Sequence, residues 1–197
     1  MKKQTKGIVK SVSVERFYFD KEELNEIERQ YAIEMHYMRY HFARQHIKGV
    51  VLDIACGCGY GTYMLTQKTP DVSNVIGVDI YQEAIDYANE HYKNDRNEFI
   101  CSSIEDFYTD KQINFAVSIE TIEHLEHPDQ LVNLFKSLRI DEALITYPTR
   151  KTTHYNPYHK HDFTFQAIEK LFSPDYTIYD HYQYHREFIY IFLKRNT

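Results

Sequence analysis

From residue 50 onward, short apolar runs alternate with amphipathic stretches. VVLDIA (50–55), an apolar run carrying a single acid, reads as a buried strand. NVIGVD (74–79), EFIC (98–101), INFAVSI (113–119) and ALITYP (143–148) repeat that signature, so each is predicted as a strand. Helical patterns lie between them. Tyr60–Gln67 stops before Pro70, and Tyr81–Tyr92 turns Ala84, Ile85 and Ala88 inward. Pro128–Leu138 opens on a proline, which suits a first helical turn where no N–H is needed. Upstream, residues 21–46 place Leu24, Ile27, Tyr31, Ile33 or Glu34, Met38 and Phe42 near a 3.6-residue period, which predicts a long helix.

Strands alternating with helices predict an α/β fold, a mostly parallel sheet covered by helices on both faces. The pattern changes after residue 148. Residues 149–163 are polar and hold His154, His159 and His161, and Phe165–Phe172 reads as a helix. YTIYDHYQYH (176–185) and EFIYIFLKR (187–195) alternate, predicting an antiparallel hairpin at one sheet edge. With 197 residues, no repeat and no low-complexity linker, the expectation is one domain, 1–197, with residues 1–48 as an N-terminal helical cap.

Composition narrows the functional classes. A net charge of −6 argues against a broad nucleic-acid footprint, which needs concentrated Lys and Arg; Lys10, Arg16, Lys151 and Lys160 are scattered. No apolar run approaches the ~20 residues of a membrane span, and the basic N-terminus lacks a signal peptide's apolar core. Cys56, Cys58 and Cys101 make no even disulfide framework, and the first two are too close for a zinc knuckle. They read as reduced thiols, so a cytoplasmic protein is expected.

The chemistry begins at LDIACGCGYGT, where Gly57, Gly59 and Gly61 sit between a strand and a helix. Glycines there let the chain turn sharply and let a ligand reach the main chain. Asp79 ends the next strand, where an acid can accept both hydroxyls of an adenosine ribose. A dinucleotide fingerprint would need glycine where Thr62 stands, which makes an NAD-dependent oxidoreductase the weakest reading.

VLDIACGCGYGTYML resembles the first motif of class I S-adenosylmethionine-dependent methyltransferases, and VIGVDI resembles their second. The resemblance covers roughly residues 35–193. It implies a Rossmann-like, seven-stranded sheet with an antiparallel last strand, and S-adenosylmethionine as cofactor. By position it implies Asp53 near the methionine amino group, backbone of Ala55, Gly57 and Gly59 around the amino-acid portion, Asp79 on the ribose and Ile80 on the adenine. Ser103 stands where many relatives have an acid for the adenine amino group, and Ile104, Ser118 and Arg39 complete the implied cofactor wall. LRIDEALITYP lacks the Pro-Gly-Gly turn common in relatives before strand five. His36, Arg39 and Tyr40 match a His-x-x-Arg-Tyr helix, similar to one that closes over the cofactor in enzymes of surface-sugar and secondary-metabolite pathways.

SIETIEHLEH (118–127) raises a second question. In a helical turn Glu120, Glu123 and His124 would share one face, a half-shell for a divalent ion such as Mg or Mn. Further ligands would come from HYNPYHKHDF. Glu-x-x-Glu-His followed by a later histidine resembles the metal site of small-RNA 2′-O-methyltransferases. It also occurs in quinone-pathway and sugar O-methyltransferases, where a metal need not be present. NPYHKHDFTFQAIEKLF is similar to the sugar-type relatives; on that match His159 is the counterpart histidine and His161 the fallback. The candidate metal set is Glu120, Glu123, His124 and His159, and the candidate catalytic set is His124, His159 and Glu120. Tyr155 and Tyr158 could stack on a substrate ring.

The expected function is therefore S-adenosylmethionine-dependent O-methylation of a hydroxyl on a sugar or other small polar metabolite. Rival readings are a metal-dependent small-RNA terminal 2′-O-methyltransferase and a cofactor-binding module without turnover. The residues leave the oligomeric state and the acceptor open.

Overall fold

The computed structural model describes residues 26–196. The segment 1–25, with the first residues of the long helix expected from residue 21, lies outside them. Seven strands form one sheet in the order β3-β2-β1-β4-β5-β7-β6. In chain order the strands are β1 (Gly49–Ile54), β2 (Val72–Asp79), β3 (Asn97–Cys101), β4 (Phe115–Ser118), β5 (Glu142–Pro148), β6 (Tyr176–Tyr184) and β7 (Phe188–Arg195). The helices are α1 (Glu26–Ala43), α2 (Tyr60–Leu65), α3 (Gln82–His91), α4 (Asp129–Ser137) and α5 (Phe165–Phe172). β1 to β5 pair in parallel, and β7 runs antiparallel between β5 and the edge strand β6. This is the α/β architecture with a closing hairpin that the alternation predicted.

β1 alternates between two cores. Val51 packs on one face with Val75, Phe115, Val117 and residues of α1 and α2. Leu52 and Ile54 pack on the other face with Leu131 and Phe135 of α4 and Ile168 and Phe172 of α5. A strand buried on both faces must be apolar throughout, which is why VVLDI reads as a continuous run. The chain leaves β1 toward β2 and β3, then returns to place β4 and β5 on the other side. The loops after β1 and β4 therefore diverge and leave a crevice at the strands' carboxyl ends.

The period expected in α1 holds in part: Met38 and Phe42 pack on the core, while Tyr31 is 53% exposed and Met35, Tyr40 and Ala43 are the buried residues. Tyr40 inserts against the glycine loop, where Gly61 leaves room for its ring.

Candidate functional site

A cavity of about 640 Å³ opens at the switch between β1 and β4. Its floor is the glycine loop. Ala55, Gly57 and Gly59 all have left-handed backbone, with φ of 57°, 55° and 87°. Glycine tolerates this conformation and Ala55 bears it under strain. A Cβ built on Gly57 would meet nothing within 4 Å, so its main chain faces open space. A Cβ on Gly59 would lie 2.4 Å from Ala88 Cβ, so that glycine serves packing against α3.

Asp79 is 4% exposed and lines the cavity. The Gly57 N–H donates to its Oδ2 at 2.9 Å and the Tyr81 N–H to its Oδ1 at 3.0 Å. Loop and acid are thus one unit, with the carboxylate oriented by backbone donors. Ile80, 60% exposed, and Ile104 also line the cavity.

Three residues assigned to the cofactor wall lie elsewhere. Asp53 is fully buried beneath the loop, where it accepts from the Thr62 hydroxyl at 2.6 Å and the Tyr40 hydroxyl at 3.2 Å. Burial pushes its carboxyl up to about 7, against the pull of those two hydroxyls. Ser103 caps its own turn: its hydroxyl donates to Asp106 at 2.8 Å and accepts from the Asp106 N–H, while the neighbouring Ser102 lines the cavity. Ser118 is buried in β4, and Ile119 reaches the cavity one residue later.

α1 forms one wall through His36, Arg39 and Tyr40. His36 Nδ1 lies 2.5 Å from the Tyr60 hydroxyl. Burial, with Arg39 adding to it, pushes His36 down to about 3, so the ring is neutral. Arg39 Nη2 donates to Glu120 Oε2 at 3.1 Å, and its guanidinium lies 4.2 Å from the Phe188 ring centroid. Glu120 has φ 48° and is locked to β5: its N–H donates to Thr146 Oγ1 at 2.9 Å, and that hydroxyl donates back to Glu120 Oε1 at 2.9 Å.

Beyond Glu120 the chain forms a 3-10 turn, Ile122–His124, in place of the helical turn expected. Glu120 is directed to Arg39 and Thr146 and lines the cavity. It is not in the cluster that the other three expected ligands form: ligand atoms of Glu123, His124 and His159 lie within 4.8 Å of one another. The loop 149–163 folds onto this turn through Lys160 N–H and His161 N–H, which donate to the Glu123 carbonyl at 2.8 and 3.3 Å. The imidazoles of His124 and His159 meet edge to face, centroids 4.6 Å apart.

Glu123 is fully buried, and neither of its carboxylate oxygens accepts a hydrogen bond among the described residues. Burial, reinforced by Glu120, pushes its carboxyl well above the ordinary range. Each histidine has its Nδ1 engaged from outside the group. His124 Nδ1 is 3.1 Å from the Tyr158 carbonyl, an acceptor, so Nδ1 carries a proton. His159 Nδ1 is 2.7 Å from Thr152 Oγ1. Burial, with His124 next, lowers His159 to about 4. A buried carboxyl group without a hydrogen-bond partner beside two imidazoles is a donor set that fits a divalent cation.

The other loop candidates stay apart. His161 Nε2 is 3.0 Å from the Leu125 carbonyl, and His154 packs its ring on Tyr155. Tyr155 and Tyr158 are exposed and do not line the cavity. Sequence reasoning passed over Thr146, Thr152 and Asp162, which orient site residues through contacts no local pattern encodes, and over Tyr60, Glu105 and Gln130 on the cavity wall. None of the three cysteines is in a disulfide; Cys56 and Cys58 are buried and Cys101 is exposed. No helix among the described residues is long and apolar enough to cross a membrane.

Residues 51–139 match a family described as a methyltransferase domain. The chain is 30% identical over 132 residues to the ubiquinone biosynthesis O-methyltransferase of Rickettsia akari, covering 66% of this chain and 51% of that protein. It is 30% identical over 95 residues to the malonyl-[acyl-carrier protein] O-methyltransferase of Acetivibrio thermocellus, covering 48% of this chain and 33% of that protein. The chain thus spans about a third to a half of these curated relatives. Among solved structures, magnesium protoporphyrin IX methyltransferase from Synechocystis PCC 6803 superposes with TM-score 0.70 at 13% identity, covering 90% of this chain and 91% of that one. A likeness at that identity speaks to the fold. With the sheet order, the glycine loop and the matched domain in agreement, residues 51–139 form a methyltransferase domain within a class I methyltransferase fold.

Proposed function

We propose that this chain is an S-adenosylmethionine-dependent O-methyltransferase acting on a hydroxylated small molecule. The observation that carries this reading is the pairing of two halves in one cavity. On one side are the open main chain of Gly57 and the Asp79 carboxylate; on the other are His124 and His159. The first half fits a nucleoside with an amino-acid tail: Asp79 would hold the ribose, Gly57 the tail, and Ile80 and Ile104 the base. Both curated relatives described above are named O-methyltransferases, which supports oxygen as the acceptor.

The cofactor would supply a sulfonium methyl, already a good electrophile. The chain's own task is then to hold the acceptor oxygen in line and to help remove its proton. We further propose that Glu123, His124 and His159 hold a divalent cation at the acceptor end. Such an ion would supply Lewis acidity toward a hydroxyl, which is weakly acidic alone. Arg39 and Glu120, bound to each other and to Thr146, would keep α1 closed over the site and exclude water.

Calorimetry with S-adenosylhomocysteine and NAD tests the cofactor; binding of the first and not the second is expected. Turnover is then measured on a panel of hydroxylated metabolites and RNA, with and without chelator. Activity on a small hydroxylated compound that chelation abolishes and manganese or magnesium restores is the expected result. Absence of affinity for S-adenosylhomocysteine overturns the whole reading. Turnover unchanged by chelation removes the cation and leaves the histidines as bases. Activity confined to RNA would overturn the substrate class.

A further inference from the structure

Thr152 is buried at the root of the loop 149–163, outside the Glu123, His124 and His159 group. Its backbone anchors the loop: its carbonyl accepts from the N–H groups of Tyr155 and Asn156, and its own N–H donates to Asp162 Oδ1 at 2.6 Å. Asp162 Oδ1 also lies 3.4 Å from Thr152 Oγ1. Thr153 fixes the other carboxylate oxygen, donating from its hydroxyl to Oδ2 at 2.7 Å. The carboxylate is therefore held in place beside Thr152. Thr152 Oγ1 also lies 2.7 Å from His159 Nδ1.

A hydroxyl has one proton. If Thr152 gives it to Asp162, it accepts the His159 Nδ1–H, and the lone pair of the ring is left on Nε2. If Thr152 gives it to His159 Nδ1, the imidazole proton moves to Nε2, which no acceptor among the described residues hydrogen-bonds. Neither Glu123 oxygen accepts a hydrogen bond, so the second arrangement lacks the partner that would stabilise it. The Asp162 carboxylate, an anion, favours the first. His124 shows the same polarity independently, with Nδ1 against the Tyr158 carbonyl.

We propose that Thr152, oriented by Asp162, is a positioning residue that keeps the His159 proton on Nδ1 and so leaves the lone pair of the ring on Nε2. This rests on the reading of His159 as a working group of the site, whether as a cation ligand or as a base. Both roles need a lone pair at that nitrogen, and outer partners that set a histidine's tautomer typically change metal affinity by about 10–100-fold when removed.

The test is long-range ¹H–¹⁵N NMR on the metal-free full chain at pH 7.5, with histidine labelled and His159 assigned by His159→Gln. The wild type and Thr152→Ser should show His159 protonated on Nδ1. Thr152→Val, isosteric but without a hydroxyl, and Asp162→Asn should shift the proton population toward Nε2. A wild-type His159 already protonated on Nε2 overturns the proposal, as does Thr152→Val with an unchanged pattern. Should Thr152→Val fail to fold, the wild-type spectrum and Asp162→Asn decide alone. In parallel, titration with Co²⁺ alone, read by its d–d absorption, should weaken at least tenfold in Thr152→Val and recover in Thr152→Ser. A wild type that takes up no Co²⁺ ends the cation reading, while the NMR result still decides this one.

Discussion

A Cβ on Gly61 would stand 2.1 Å from Tyr40 Cζ, inside the aromatic ring that α1 sends beneath the glycine loop. The same ring carries the hydroxyl that donates to Asp53. Glycine at position 61 therefore serves the docking of α1 and not the ligand, unlike Gly57. Gly61→Ala should lose about 1–3 kcal/mol through overpacking, lowering Tm by roughly 2–10 °C. A double-mutant cycle with Tyr40→Leu checks the cause. Relief of the clash makes the pair less destabilising than the sum of the single variants.

Asp53 should leave a signature in the pH dependence of stability. Its folded value, about 7, is raised from the model-compound 3.8, with burial as the largest cause. Below the unfolded value both states are protonated and nothing is lost. As pH rises toward 7 the unfolded chain releases a proton that the folded chain keeps, so stability falls by an amount on the order of 4 kcal/mol from this group alone. Denaturant unfolding from pH 4 to 8 should show that decline in the wild type and a flatter profile in Asp53→Asn. Equal slopes would mean that Asp53 is ionised in the folded protein.

Breaking the Arg39–Glu120 ion pair should loosen α1. Its side chains are 12% and 19% exposed, and Arg39 also stacks on Phe188. Arg39→Ala should destabilise by about 2 kcal/mol and weaken S-adenosylhomocysteine binding, because Arg39 lines the cavity. Arg39→Lys should restore only part of either, since an ammonium reproduces neither the planar fork nor the stacking. Urea titration and calorimetry read the two effects separately.

Glu123→Gln separates ligation from packing. In chelated protein it should leave Tm unchanged or raised, because it removes a buried carboxylate that no donor satisfies. In the presence of Mn²⁺ the wild type should gain Tm, and Glu123→Gln should lack that rise. A fall in Tm under chelation would indicate that the carboxyl has a structural partner in the folded protein.

The sheet, its helices and the glycine loop were legible because their signals are local. An apolar run of β-formers records burial on both faces, and glycines at a strand end record a sharp turn. Asp79 was legible for the same reason, as it closes a strand whose neighbour is set by the parallel alternation. The site's details were not. Asp53 and Ser103 look like cofactor residues by position, yet one is drawn under the loop by Thr62 and Tyr40 and the other caps its own turn. Glu120 looks like a ligand by spacing, yet its side chain is bound to Arg39 and Thr146, contacts the spacing does not encode.

From residues alone came the order of elements, the crevice at the strand ends and the two segments that line it, since periodicity and turn chemistry are written within a few residues of where they act. Tertiary structure decided which of three histidines joins Glu123 and His124, which face of α1 is buried, and which acids meet the cavity. Those choices depend on segments far apart in the chain: residue 123 receives its loop from residues 160 and 161, and residue 120 meets residues 39 and 146. Such meetings follow from how helices and loops pack on a twisted sheet, a property of the whole folded chain that spacing within one segment does not contain.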